Sequence, residues 1–269
     1  MKSTVILAVA MFLLPTLLMA MEEKAPRPVM DVVFCLDSTG SMGSEIAAAK
    51  EKIWSIANSI MEGEPRPIVR FGVVTYRDKG DAYVVKKKNL TDDVDAVHEF
   101  LMGISANGGG DGPEDVRSAL KASVHDMAWS DSKEAIKLIF LVGDAPPHED
   151  YSELPSVTKT ASAAASKGIN INTIACGGVG ERVVTLWKEV AELSDGDYQR
   201  LARSGGGMRS RAGLSVTCEA MAIGGAPMCS KASRLECAPS SAVDSSADFE
   251  AAVMKSIKKR AAKKGVVLK

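Results

Sequence analysis

The sequence predicts an α/β protein: a Rossmann-like, doubly wound, mostly parallel central sheet, with one antiparallel edge strand, flanked by helices. Strongly apolar runs such as VMDVVFCL, PIVRFGVVTYR, IKLIFLVGD and ININTIACG recur along the chain, separated by helical stretches of ten or more residues. That alternation favours a parallel sheet covered on both faces. Hydrophobic residues make up 46% of the 269 while aromatics reach only 5%, which suits an Ala/Val/Ile-rich α/β core better than an all-β sandwich. The length is enough to bury such a core.

Each element follows from its local pattern. VMDVVFCL is a β-branched strand, and the helix after it carries Ile46, Ile53, Ala57 and Ile60 on one face. PIVRFGVVTYR is the second strand. AYVVKKK, after the Gly80-Asp81 turn, reads as a short edge strand whose Lys86, Lys87 and Lys88 guard an open edge. Helices are expected near Asp93–Met102, from about Pro113 to Trp129, over Ser156–Lys167 and over ERVVTLWKEVAELS, with IKLIFLVGD, ININTIACG and DYQRLA as the remaining strands. There is no internal repeat. Residues 203–246 shift to Gly, Ser, Ala and Cys and read as an insertion or irregular loop. Helical spacing returns at 247–269, with Phe249, Val253 and Ile257 on one face and Lys/Arg opposite. That segment reads as an amphipathic helix docked on the domain; a free basic helix meeting an anionic surface is the alternative.

Residues 1–20, MKSTVILAVAMFLLPTLLMA, have an early Lys, an apolar stretch and a small residue before charged MEEKAPRP, the form of a cleaved signal peptide. An uncleaved membrane anchor is the alternative. No later segment reaches the length of apolar chain that spans a bilayer, so a secreted, periplasmic or extracellular mature chain is expected. The formal net charge of -1 offers no global basic field for nucleic acid. Cys35 and Cys176 fall in strands and read as buried thiols. Cys218, Cys229 and Cys237 crowd one polar segment, where one disulfide and one leftover thiol would fit an oxidising compartment. The absence of C-x-x-C and the scatter of three His argue against zinc. NLT at Asn89 is a formal glycosylation sequon.

Three segments concentrate oxygen donors. Two of the most apolar strands end in acid, FCLD at Asp37 and FLVGD at Asp144, and the loop GGGDGPED adds Asp111 and Glu114. In an open parallel sheet the carboxyl ends of strands gather at one edge, with ligands in the crevice where strand order reverses. Carboxylates brought together there need protons or a cation. The hydroxyls of DSTGSM (Ser38, Thr39, Ser41) supply neutral oxygens, and an all-oxygen set selects a hard ion such as Mg²⁺, Mn²⁺ or Ca²⁺. Alternate side chains at 37, 39 and 41 of a loop leaving a strand point to one side, and Gly40 lets the backbone approach closely.

Together, DVVFCLDSTGSMGSEI, GGGDGPEDV and LIFLVGDAPPH resemble the three loops of a von Willebrand factor type A domain, over roughly residues 29–202. The resemblance implies a metal-ion-dependent adhesion site with Asp37, Thr39, Ser41 and Asp144 as ligands. Thr39 is a conservative change at the middle hydroxyl of the family's D-x-S-x-S. The third loop, which often supplies a Thr, here offers Asp111, with Glu114 as the other choice. The resemblance also implies a non-enzymatic binding module whose divalent cation, Mg²⁺ first, is completed by a carboxylate from a protein or matrix-like partner.

Other readings compete at each position. Asp37, Thr39 and Ser41 could form only a capped turn. Asp111 could simply start a helix, and Glu114 and Asp115 suit a first helical turn, where negative charge is favoured. His148 reads as a solvated loop residue; with Asp37 or Ser41 it would make a metal-assisted hydrolase, although no G-x-S-x-G elbow is present. A third possibility is an assembly component with a purely structural metal.

Overall fold

The computed structural model describes residues 26–110, 112–201 and 245–268. In chain order these form β1 (Val29–Asp37), a 3-10 turn (Gly40–Met42), α1 (Gly43–Met61), β2 (Ile68–Tyr76), β3 (Val85–Thr91) and α2 (Val94–Met102). There follow α3 (Val116–His125), β4 (Ile136–Gly143), α4 (Val157–Ser166), β5 (Ile169–Cys176), α5 (Glu181–Leu193), β6 (Tyr198–Leu201) and α6 (Ser245–Lys263). The sheet order is β3-β2-β1-β4-β5-β6. Among the described residues, β3 is the one strand of this sheet that runs antiparallel, against β2, and its other strand pairings are parallel. The expected mostly parallel sheet with one antiparallel edge is therefore the observed one.

Period-two alternation divides the buried strand residues between two layers. Met30, Val32, Phe34 and Leu36 of β1 face α1, α2 and α6, while Val33 and Cys35 face α3, α4 and α5. Phe34 is the hub of the first layer, with the rings of Phe140, Phe249 and Phe71 at 5.8, 6.3 and 6.4 Å. Trp187 of α5 fills the second layer. Cys35 and Cys176 are buried free thiols, and burial pushes Cys35 up to about 12.

The apolar stripe of α6 (Phe249, Val253, Ile257) lies in the first layer, which removes the free basic helix as an alternative. Its basic face pairs with the neighbouring turn: Arg260 and Lys259 meet Asp195 and Asp197, and Lys264 meets Glu134 at 2.7 Å. At the opposite end of β1 from the loops of interest, fully buried Asp31 accepts from Arg70 Nε and Nη2 at 2.8 and 2.7 Å and from the Ser130 amide at 2.7 Å.

Two elements differ from expectation. The third helix starts at Val116 rather than near Pro113, because Asp115 accepts from the Ser118 amide and caps it. It ends at His125; beyond it the chain folds back, and Trp129 donates to the Ser123 carbonyl at 3.0 Å. The edge strand begins at Val85, which leaves Tyr83 outside the sheet and stacked under the Arg77 guanidinium. The segment 1–20 expected to be a signal peptide, Asp111 and the cysteine segment with Cys218, Cys229 and Cys237 lie outside the described residues. Among the described residues no helix is long and apolar enough to cross a membrane.

Candidate functional site

Topology brings the two terminal acids together. β1 sits between β2 and β4, so the chain leaves it toward one side first and reaches the other side later, and the loops part at the carboxyl ends of β1 and β4. Pairing of Leu36 with Val142 sets Asp37 level with Gly143, one residue short of Asp144. Gly143 itself must be small. A Cβ there would stand 2.7 Å from Tyr76 Oη, 3.2 Å from the Trp187 ring and 3.3 Å from Asp37 Cβ. We expect Gly143→Ala to cost about 1–3 kcal/mol through overpacking, read as a lower urea midpoint at unchanged m-value.

Side chains 37, 39 and 41 do fall on one side. Asp37 Oδ1 accepts from the Thr39 amide at 2.9 Å and from Thr39 Oγ1 at 2.7 Å. Thr39 Oγ1 is 3.4 Å from Ser41 Oγ, which donates to Asp144 Oδ1 at 3.0 Å. A continuous run of oxygens thus joins the two strand ends through the loop. Ser38 stands outside it, contrary to the donor role expected: its hydroxyl donates to the Tyr76 carbonyl at 2.8 Å and lies 2.7 Å from Tyr83 Oη. Ser38 is instead part of the frame. Buried Arg77 donates to the Ser38 carbonyl at 3.2 Å and to the Ser105 carbonyl at 2.7 Å, which ties the first loop to the Gly-rich loop.

The Gly-rich loop closes over the first. The Gly40 amide donates to the Gly108 carbonyl at 3.1 Å, and a Cβ on Gly40 would come within 3.3 Å of that oxygen. So Gly40 serves a close approach of two backbones. Gly109 takes φ +69, with its amide donating to Asp81 Oδ2 at 3.1 Å. A Cβ there would meet Glu114 Oε1 at 2.8 Å and Thr39 Cβ at 3.1 Å. Glu114 is therefore not the first-turn acid that its position beside Asp115 suggests. It precedes the helix, is only 4% exposed, and is fixed by backbone bonds from its amide to Pro146 and from His148 to its carbonyl. Glu45, 8% exposed in the first turn of α1, is a further acid near Asp37 that the sequence reading passed over; an acid four residues beyond Ser41 was the available signal.

The electrostatics follow from this crowding. Burial raises Asp37 to about 7, the Thr39 hydrogen bonds pull the other way, and Asp144 and Glu45 add to the rise. Its second oxygen, Oδ2, is buried with no hydrogen-bond partner among the described residues. Among those residues no three His, Cys, Asp or Glu side chains gather as a metal cluster. A cation here would be held by two carboxylates, Asp37 and Asp144, with the hydroxyls of Thr39 and Ser41. That all-oxygen set, with an uncompensated buried carboxylate, fits a hard divalent ion that keeps further positions for water or another ligand.

His148 is not the solvated loop residue expected. Its side chain is 11% exposed, stacks on Tyr151 at 4.4 Å, and points Nδ1 at Asp150 Oδ1 (2.8 Å) and Nε2 at Asp78 Oδ2 (3.2 Å). Burial lowers its pKa, but the Asp150 and Asp78 carboxylates outweigh that and hold it above the usual range. A ring with both nitrogens engaged by carboxylates braces the loop after β4 and has no nitrogen free to act as a general base. Arg117 holds the same loop by donating to the carbonyls of His148, Glu149, Leu154 and Pro155.

A family model described as von Willebrand factor A domain matches residues 31–212. Von Willebrand factor A domain-containing protein 7 of Mus musculus is 31% identical over 183 residues, covering 67% of this chain and 19% of that protein. The Rattus norvegicus protein of the same name is 37% identical over 125 residues, covering 46% and 13%. The chain thus spans less than a fifth of the length of these curated relatives. Among solved structures, the pilus adhesin SpaC from Lactobacillus rhamnosus GG, in an open conformation, shares the fold at a TM-score of 0.52 and 15% identity, over 67% of this chain and 28% of that one. With the strand order, the parallel pairing and a family match over most of its length, this chain belongs to the von Willebrand factor A domain family.

Proposed function

We propose that the chain is a metal-dependent protein-binding module of an exported protein, acting by adhesion and without bond breaking. A divalent cation, Mg²⁺ first with Mn²⁺ or Ca²⁺ as alternatives, is held by Asp37, Thr39, Ser41 and Asp144, with Asp111 as a further donor. The observation that carries this reading is the oxygen run from Asp37 to Asp144, together with Asp37 Oδ2, a buried carboxylate oxygen that has no hydrogen-bond partner among the described residues. Neutral hydroxyls at two positions leave the ion poorer in electrons than an all-carboxylate shell would, which suits a carboxylate from a protein or matrix-like partner as its last ligand, while the added charge of Asp111 strengthens cation binding and weakens that pull. Export rests on the signal-like residues 1–20. The hydrolase alternative lacks support at its base: Ser41 donates to Asp144, while His148 is engaged with Asp78 and Asp150.

Two measurements test the reading. Mg²⁺ or Mn²⁺ should raise the unfolding temperature of the wild type, with about 2.7 kcal/mol gained at a hundredfold excess over Kd. Asp37→Ala should show no such gain; a wild type that ignores both ions, or a variant that responds equally, rejects the site. Capture of partners from the native compartment should occur in Mg²⁺ and be lost in chelator. Capture unchanged by chelator would instead favour an assembly role with a structural metal.

A further inference from the structure

Tyr76 ends β2 opposite Asp37, as its register partner across the parallel pair. Its side chain is fully buried, in the same layer as Cys35. The hydroxyl has no hydrogen-bond partner among the described residues, and neither does Asp37 Oδ2. Both groups crowd one point: a Cβ on Gly143 would stand 2.7 Å from Tyr76 Oη and 3.3 Å from Asp37 Cβ. The glycine of FLVGD thus leaves room for the phenol to reach beneath the strand ends. A buried donor and a buried acceptor, each unsatisfied and both next to Gly143, are a costly arrangement that native structures rarely keep without use.

We propose that Tyr76 is a positioning residue of the cation site, its hydroxyl donating to the second oxygen of Asp37, directly or through one water, when a cation is bound. This rests on the reading of the site given above. Burial, with Asp37, Cys35, Glu114 and Asp144 close by, keeps the phenol well above its ordinary range, so it stands as a donor at neutral pH. Groups that orient a metal ligand in this way typically set metal affinity by about tenfold or more. The hydroxyls that follow Asp37 in the chain are turned elsewhere: Thr39 donates to Oδ1 rather than Oδ2, and Ser38 donates to the β2 carbonyl.

The test is Tyr76→Phe, which removes one oxygen and keeps the ring. Metal-free, the variant should unfold at the same urea concentration as the wild type or a higher one, because the lost hydroxyl satisfied nothing. Its Mn²⁺ affinity, by calorimetric titration, should fall about tenfold. Mn²⁺ should also perturb the tyrosine absorption band of the wild type and do so less in the variant. A hydroxyl with a merely structural role would lower the metal-free midpoint and leave affinity unchanged, and either result overturns the assignment. If wild type binds Mn²⁺ and Tyr76→Phe binds equally, this inference fails while the cation site stands. If wild type does not bind Mn²⁺ at all, both fail.

Discussion

Replacing Asp37 with asparagine should stabilise the metal-free protein above neutral pH and abolish its response to Mg²⁺. The folded-state pKa of Asp37, about 7, lies above its ordinary value of 3.8 because burial disfavours the charge. Between these values the folded chain binds more protons than the unfolded chain, so stability falls as pH rises through the window. The full penalty above pH 7 is on the order of 4 kcal/mol. Asparagine keeps an oxygen to accept from the Thr39 amide and hydroxyl, yet has no charge to bury. The gain over wild type should therefore be small near about pH 4 and grow to a few kcal/mol near about pH 8, read by urea unfolding in chelator. A cation cancels the same charge, so Mg²⁺ should stabilise wild type more at the higher pH and the variant at neither. An Asp37→Asn protein that is equally destabilised at both pH values would contradict this account of the site.

The second large effect lies at the other end of β1. Asp31→Ala should lower stability by about 2–3 kcal/mol, because it removes a fully buried carboxylate that accepts from the part-exposed Arg70 guanidinium and from the Ser130 amide, and leaves both donors without it. The pair is bidentate, and the same carboxylate also satisfies the Ser130 amide just before β4. One side chain therefore links β1 to β2 and to the chain entering β4. Removing both charges with Asp31→Leu and Arg70→Met should recover much of the loss, since replacing both partners spares the unpaired charge. If the double variant is no better than Asp31→Ala, the cost lies in the Ser130 contact rather than in the orphaned guanidinium.

Much of this architecture was legible in one dimension because its causes are local. Strands β1, β4 and β5 are short runs rich in Val, Ile, Leu and Phe, with polar residues only at scattered positions. The helix faces repeat at three to four residues, and the acids at Asp37 and Asp144 sit where those runs stop. Spacing alone also placed 37, 39 and 41 on one side of the loop, since alternate side chains leaving a strand share a direction. The misreadings arose where a residue's partner is far away in the chain. Ser38 looked like a donor to the site until Tyr76 and Tyr83, about 40 positions on, claimed its hydroxyl. His148 looked solvated because Asp78, 70 positions earlier, is invisible to any local pattern.

The order of apolar runs, turns and acids was enough to define the fold class and two walls of the oxygen-lined crevice, because hydrophobic periodicity and chain direction are properties of short segments. Which acids are buried, which hydroxyls remain to face the crevice and which phenol lies beneath it were settled only in three dimensions. Those properties come from desolvation and hydrogen-bond competition among residues such as Tyr76, Glu114 and Asp37, which fold-level contacts bring together and sequence spacing does not.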